Sequence, residues 1–211
     1  MYRIRAEFSK FGGAAYISHL DLMKTFQRSL RRAHLPVKYS QGFNPHIYIS
    51  ILAPLSTGYQ CKRDVADFDL NEAVDYEEIC GRLNAAFPHG IAVSRAFEAV
   101  RPAREIAFSR YEIMYPGRDA EKLAEAFKEP VFVEKRSKRS VKEVNLLNYI
   151  HSIAFDARED GVLCTAVVSA GGEPLNPMYI TAALKEKGLV PADFSPIYTR
   201  DGLLDKNLRF F

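Results

Sequence analysis

Two kinds of hydrophobic pattern follow one another in the same order twice along this chain of 211 residues. Segments with every second residue apolar are typical of strands, and segments with an apolar stripe are typical of helices. In the first half the order is strand, helix, strand, strand, helix, strand. The predicted elements are Tyr2–Phe8, Ser18–Ala33, His46–Ala53, Lys62–Leu70, Tyr76–Phe87 and Ile91–Val100. This is the order of the split βαβ, or ferredoxin-like, unit, in which two helices cover one face of a four-stranded antiparallel sheet.

The second half shows the same order with a longer interruption. Its predicted elements are Phe108–Tyr115, Asp119–Phe127, a strand starting with Val131–Glu134, and then Leu163–Ser169, Leu175–Lys187 and Phe194–Arg200. Element order repeats between the halves, whereas residue identity does not. We therefore predict an α+β protein of two tandem ferredoxin-like units with antiparallel sheets. The first covers residues 1–105, and the second covers residues 106–211 with a basic insert at 135–160.

Composition argues against several classes of protein. No apolar run approaches the roughly 20 residues that span a bilayer, and the first residues alternate where a signal peptide would be continuously apolar. The three cysteines, Cys61, Cys80 and Cys164, are odd in number and show no CxxC spacing. This argues against a disulfide framework, a zinc ribbon and an iron–sulfur cluster. We expect a cytoplasmic protein with no membrane association and no cofactor of its own.

The start of the first helix has a local explanation. Ser18 is a good N-cap, and Asp21 occupies the position from which a carboxylate reaches back to the cap. Ile17 and Leu22 occupy the two positions of a hydrophobic staple. His19 is not needed for this arrangement, and we expect it to face outward as the first helical residue.

One face of this helix is basic. It carries Lys24, Arg28, Arg31 and Arg32, and the only acid near them is Asp21. A solvated face is the simpler interpretation. A stripe of one sign repels itself, however, and a polyanion would relieve that repulsion. Phosphate contact is therefore the competing interpretation.

The segment YSQGFNPH connects this helix to the next strand. Gly42 and Pro45 are turn residues, and a tight connection explains both. It does not require Tyr39, Phe43 and His46 in one short segment. Aromatic side chains flanked by bases favour stacking on nucleobases. The alternative is that the two aromatic rings pin the loop to the core.

Two histidines raise the question of chemistry. His19 and His46 are weak candidates for acid–base catalysis on RNA. Together with Asp21 they have the side chains to hold a divalent ion. The spacing is not specific for either role, so we predict neither a catalytic residue nor a metal site.

The densest cluster of bases lies in the insert. It consists of Lys135, Arg136, Lys138 and Arg139, followed by Lys142. Such a run is either a solvated hairpin tip or an arm that grips phosphates. We include the four clustered bases among the predicted nucleic-acid-binding residues.

Three motifs together resemble the radical-SAM-linked protein family, a bacterial family defined by a domain of unknown function. They are SHLD at Ser18–Asp21, GFNPH at Gly42–His46 and PLSTG at Pro54–Gly58. The resemblance implies a partner, because a separate radical SAM protein would carry the cluster and S-adenosylmethionine. Frequent proximity of such genes to that of ribonuclease G implies RNA, either tRNA or rRNA, as a shared substrate. The resemblance implies no catalytic residues.

We therefore predict a non-catalytic accessory protein that binds RNA for a radical SAM partner. One alternative is a metal-independent endoribonuclease, by fold-level analogy with the CRISPR repeat endoribonuclease superfamily. The other is a subunit that only docks a protein partner.

Overall fold

A computed structural model describes residues 1–117, 119–136 and 141–211. The chain divides into two compact units, Met1–Glu105 with Phe211, and Ile106–Phe210. Both units combine antiparallel strands with α-helices, so the predicted α+β class is confirmed. No helix within the described ranges is long and apolar enough to cross a membrane.

The first unit has six elements in the predicted order. They are β1 (Tyr2–Lys10), α1 (His19–Arg32), β2 (Ile49–Ile51), β3 (Gln60–Leu70), α2 (Tyr76–Ala86) and β4 (Ile91–Glu98). Strand β1 pairs with β3 and β4, and β2 pairs with β3, all antiparallel. The strand order in this unit is therefore β4-β1-β3-β2, with β2 beside β3. Strand β2 is shorter than the predicted His46–Ala53.

The core of this unit lies between one face of its sheet and its two helices. Ile4, Ala6 and Phe8 alternate along β1 and are buried in this core. Phe26 of α1 packs edge-on against Phe8, with ring centroids 4.9 Å apart, and against Phe87 at 4.8 Å. These contacts fix α1 on the sheet and so set which helix face is left for solvent.

The opposite face of this sheet carries charges that the sequence pattern did not predict. Arg5 is buried and binds both carboxylate oxygens of Asp67, at 2.7 and 2.8 Å. It also donates to the backbone oxygen of Arg101 at 2.7 Å. Glu7 is likewise buried and pairs with Arg95 at 2.9 Å. Buried charges are retained when they are paired in this way.

The second unit contains β5 (Phe108–Tyr115), α3 (Ala120–Glu125), β6 (Phe132–Arg136), β7 (Val141–Asn145), β8 (Ile150–Arg158), β9 (Gly161–Ser169), α4 (Met178–Glu186) and β10 (Tyr198–Leu204). Strand β5 pairs with β10 and β9, and β8 pairs with β9. The strand order in this unit is β10-β5-β9-β8. Strands β6 and β7 form a separate hairpin.

The prediction for the middle of this unit was wrong. Val131–Glu134 was expected to start the second strand of the sheet, but β6 belongs to the separate hairpin. The strand in that position is β8, which the prediction had placed inside the 135–160 insert. Strand β8 has an irregular register between Ile150 and Ser152 and is largely exposed. Both features weaken the alternation by which a strand is recognised.

Candidate nucleic-acid interface

The start of α1 forms as the sequence predicts. The backbone N–H of Asp21 donates to Ser18 Oγ at 3.1 Å, and the Ser18 hydroxyl donates to the Asp21 carboxylate at 2.7 Å. Ser18 therefore caps the helix. Capping fixes where α1 begins and so which residues share each of its faces.

His19 does not face outward as expected. It is half-buried, and its Nδ1 has no exposure to solvent and no hydrogen-bond partner among the described residues. Within the same ranges, no three His, Cys, Asp or Glu side chains lie close enough together to hold a metal ion. The metal alternative through His19, Asp21 and His46 is therefore not supported by their placement.

Two contacts place one stripe of α1 beside the loop that follows it. Gln27 Nε2 donates to the backbone oxygen of Ile47 at 3.0 Å. The guanidinium of Arg31, one turn further on, lies over the ring of Tyr39 at 5.8 Å from its centroid. Residues three and four apart are neighbours on a helix surface, so Lys24 and Arg28 belong to the same region.

The bases of α1 differ in how they are engaged. Lys24 is exposed and lies 3.9 Å from the equally exposed Asp21, a pairing that contributes little in water. Arg28 is exposed and has no partner in the part of the chain that the structure describes. Lys24, Arg28 and Arg31 thus form a basic stripe, which we call the α1 stripe.

Arg32 lies apart from the α1 stripe. It donates to the backbone oxygen of Ala86 at 2.6 Å and to Ser29 Oγ at 3.3 Å. Ala86 is the last residue of α2, where helix carbonyls lack intrahelical partners. Arg32 therefore joins the two helices, which explains its charge without any ligand.

The Tyr39–His46 loop is closed by its two end regions. Ser40 donates its backbone N–H to the His46 oxygen at 2.8 Å, and Ser40 Oγ accepts the His46 N–H at 3.0 Å. Gly42 has a φ of 121°, a conformation that favours glycine. This closure holds the intervening residues at the tip of the loop.

Both aromatic rings of the loop are accessible. Phe43 is fully exposed at the tip, and Tyr39 is 40% exposed. The alternative that Phe43 pins the loop to the core is therefore wrong. An accessible ring of this kind is available for stacking on a nucleobase.

His46 has a fixed ring orientation. Its Nδ1 lies 2.9 Å from Ser40 Oγ and 3.4 Å from the backbone oxygen of Asn44, and these two contacts hold the exposed ring in place. The ring centroid lies 5.7 Å from that of Tyr48, which is 57% exposed.

Tyr48 was not among the predicted site residues. The available signal was the alternation of this segment, in which Ile47 and Ile49 point inward and Tyr48 points outward. One short segment thus carries four exposed rings, those of Tyr39, Phe43, His46 and Tyr48, which we call the aromatic row.

The basic insert is arranged differently. Lys135 lies 4.2 Å from the ring centroid of Tyr149, and the Tyr149 hydroxyl donates to Glu173 at 2.8 Å. That hydrogen bond raises the pKa of Tyr149. Glu134 and Glu143 face each other across the hairpin. Lys138, Arg139 and the side chain of Arg136 lie outside the described residues.

Residues 3–177 match the family described as an uncharacterized protein conserved in bacteria, DUF2344. The chain belongs to this family. The matched range contains the α1 stripe and the aromatic row. A search of curated proteins finds no match. Membership of DUF2344 supplies no function, so the resemblance to radical-SAM-linked proteins stays a prediction.

Proposed function

We propose that this protein binds single-stranded RNA across the α1 stripe and the aromatic row, and presents it to a separate modification enzyme. The observation that carries the proposal is the position of Arg31 over Tyr39. This contact joins a basic helix face to a set of exposed rings. Phosphates and bases are the two parts of RNA that these groups bind.

The basic part suits the RNA backbone. Lys24, Arg28 and Arg31 are presented from one helix face, and Asp21 is the only acid in the helix. Cations of this kind release counterions from phosphates when they bind, which favours association at low salt. The same surface offers little for a neutral partner.

The aromatic part suits unpaired bases. A base stacks on an exposed aromatic ring irrespective of its identity, and each such stack contributes about 1–3 kcal/mol. Bases within a duplex are already stacked and are not available to Phe43 or Tyr39. We therefore infer that the RNA is single-stranded where it meets the loop.

Catalysis is the less supported alternative. A metal-independent nuclease needs an acid and a base that both reach the substrate. His46 presents an exposed ring, but Nδ1 of His19 is buried. The two rings share no described contact. RNA binding accounts for the exposed groups without requiring this pair to act together.

The partner is proposed from the sequence motifs alone. The SHLD and GFNPH motifs lie in α1 and the loop, the elements that carry the proposed RNA surface. If the partner is a radical SAM protein, as the resemblance implies, it supplies the reactive cofactor and this chain supplies the RNA. A purely protein-docking role would need an acidic partner surface to match the α1 stripe.

The architecture is consistent with this role. We infer that both units are ferredoxin-like, because each orders its sheet strands as fourth, first, third and second. The hairpin of β6 and β7 is then an addition to the second unit. Four-stranded units of this kind are one of the common scaffolds for single-stranded RNA.

The direct test is RNA binding over a salt series. Fluorescence anisotropy with a labelled single-stranded RNA should show affinity falling with salt. The slope should be about −2 on logarithmic axes if three cations contact phosphates. A flat slope, or no binding to any single-stranded RNA, would contradict the proposal. Incubation with total RNA tests the nuclease alternative. Cleavage by the wild-type protein that is lost in His46→Ala would favour that alternative.

A further inference from the structure

A pocket of about 400 Å³ adjoins the aromatic row. It lies on the helix-free face of the first unit's sheet, beside β2, and Tyr48 belongs to both surfaces. Its polar lining includes Arg3, Lys38, Ser50 and Asp69. The volume falls within the roughly 300–1,000 Å³ of small-molecule sites.

Two aspartates of β3 reach this pocket, and they differ in their partners. Asp67 is bound through both oxygens by the buried Arg5, and Arg3 lies 3.8 Å from it. Asp69 is half-buried on the same face of the strand, two residues on. Among the described residues, nothing donates to its carboxylate or forms an ion pair with it. The Asp69 carboxylate can therefore accept hydrogen bonds from a ligand.

Two cations flank this carboxylate without neutralising it. Arg3 lies opposite Asp69 in the β1–β3 register, and its side chain is 60% exposed. Among the residues that the structure describes, Lys38 Nζ contacts only a weak acceptor, the sulfur of Met1, at 3.0 Å. The pocket thus combines one uncommitted acceptor with two adjacent donor groups.

We propose that this pocket binds a guanine base, with Asp69 accepting its N1–H and N2–H and with Tyr48 stacking on its ring. An ionised carboxylate accepts hydrogen bonds and cannot donate them. Guanine alone presents two neighbouring donors on its Watson–Crick edge. On that edge, adenine, cytosine and uracil each place an acceptor beside their donor, and a carboxylate repels it. Lys38 or Arg3 then meets the O6 acceptor of guanine.

The guanine reaches the pocket either as a free nucleotide or as an unpaired residue of RNA. The second source rests on the proposed function, because Tyr48 continues the aromatic row, with its ring 5.7 Å from that of His46. A strand of RNA lying along the loop would place the next base at Tyr48. The pocket would then give sequence preference to a surface that otherwise binds any single strand.

The test compares four nucleotides and two RNAs on the full chain. Calorimetric titration with GMP, AMP, CMP and UMP should show GMP binding about tenfold or more tightly than the others. A uridine hexamer with one central guanosine should likewise bind about tenfold more tightly than the all-uridine hexamer. Equal affinity for all four nucleotides overturns the pocket proposal, whether or not RNA binds.

Variants identify the groups responsible. Asp69→Asn turns one acceptor into a donor and should abolish the guanine preference. The matched control is Glu98→Gln, the same charge change at an exposed residue on β4, the opposite edge strand of this unit. Tyr48→Phe should bind the nucleotides like wild type, whereas Tyr48→Ala should weaken the binding of all four nucleotides about tenfold. Preference retained in a folded Asp69→Asn overturns the proposal.

The outcomes separate this inference from the proposed function. If both hexamers bind with equal affinity, the guanine-pocket proposal is contradicted and the proposed RNA binding is supported. Asp69-dependent GMP binding without binding of either hexamer supports the pocket and removes the RNA function. If Asp69→Asn fails to fold, as judged by its thermal midpoint, the comparison of the four nucleotides on wild type still decides.

Discussion

The two units carry their added segments at the same point of their strand order. In the first unit the Tyr39–His46 loop lies between α1 and β2, the strand beside β3. In the second unit the β6–β7 hairpin lies between α3 and β8, the strand beside β9. The hairpin carries its own lysines, whereas the loop has no lysine or arginine and lies beside those of α1. Both segments were predicted to contact nucleic acid.

The described residues give the two segments different character. The loop exposes Phe43 and Tyr39 next to the three cations of the α1 stripe, in a helix with one acid. The hairpin interleaves Glu134 and Glu143 with its lysines, and its Lys135 already lies over Tyr149. Charge density alone therefore did not distinguish the surfaces. The partners of each charge distinguish the two surfaces, because a cation that already has a partner gains less binding free energy from a phosphate.

The largest expected effect comes from reversing two charges of the α1 stripe. Arg28→Glu with Arg31→Glu should weaken single-stranded RNA binding about a hundredfold at low salt, since two phosphate contacts become repulsive. The salt slope should shrink from about −2 to about −0.7, because one of the three phosphate contacts remains. The matched variant is Lys135→Glu with Lys142→Glu in the hairpin. Equal losses in both double variants would erase the proposed difference between the segments.

A smaller loss is expected from removing one ring. Phe43→Ala should weaken RNA binding about tenfold, because one base loses its stacking partner. Its thermal midpoint should not move, since the side chain makes no buried contact. Phe132→Ala is the control, an exposed phenylalanine at the start of the hairpin. If Phe43→Ala binds RNA as tightly as wild type, Phe43 does not stack on a base and the loop has another role.

Arg32 lies apart from the α1 stripe, and its substitution should affect stability more than RNA binding. Arg32→Ala should lower the free energy of unfolding by about 1 kcal/mol, because the last carbonyl of α2 loses its donor. Arg28→Ala should change stability by less than about 0.5 kcal/mol. Urea unfolding measures both. For RNA affinity, Arg28→Ala should have the larger effect and Arg32→Ala the smaller. If Arg32→Ala has the larger effect on both stability and RNA affinity, Arg32 belongs to the interface.

The smallest effect is expected in the hairpin. Lys142 lies opposite Lys135 across the two strands. Lys142→Glu should replace this repulsion by attraction and stabilise the chain by about 0.5 kcal/mol. Thermal unfolding at low and high salt checks this, because screening should remove the gain. A destabilised variant would show that the pair is held apart by other contacts.

Local and periodic features could be predicted from the sequence. The order of elements in the first unit follows from the spacing of its apolar residues. The cap at Ser18 and the basic stripe of α1 follow from residues within one or two turns of each other. Each of these depends on neighbours in the chain, which a sequence displays directly.

Long-range partners could not be predicted. Arg32 and Arg28 look alike along α1, and only the position of Ala86 on a second helix separates them. The irregular register at Ile150 concealed β8, because alternation was the only signal available for it. In each case the deciding contact is made by a residue that the sequence places far away.

The amino-acid sequence by itself determined an α+β chain with a capped basic helix and an aromatic, glycine-containing loop. The tertiary structure decided which charges are already bound. Asp67 and Asp69 are equivalent in the sequence, but Arg5, 62 residues from Asp67, binds only that one. Pairing across a sheet joins residues by strand register, and register is fixed by the packing of the whole unit.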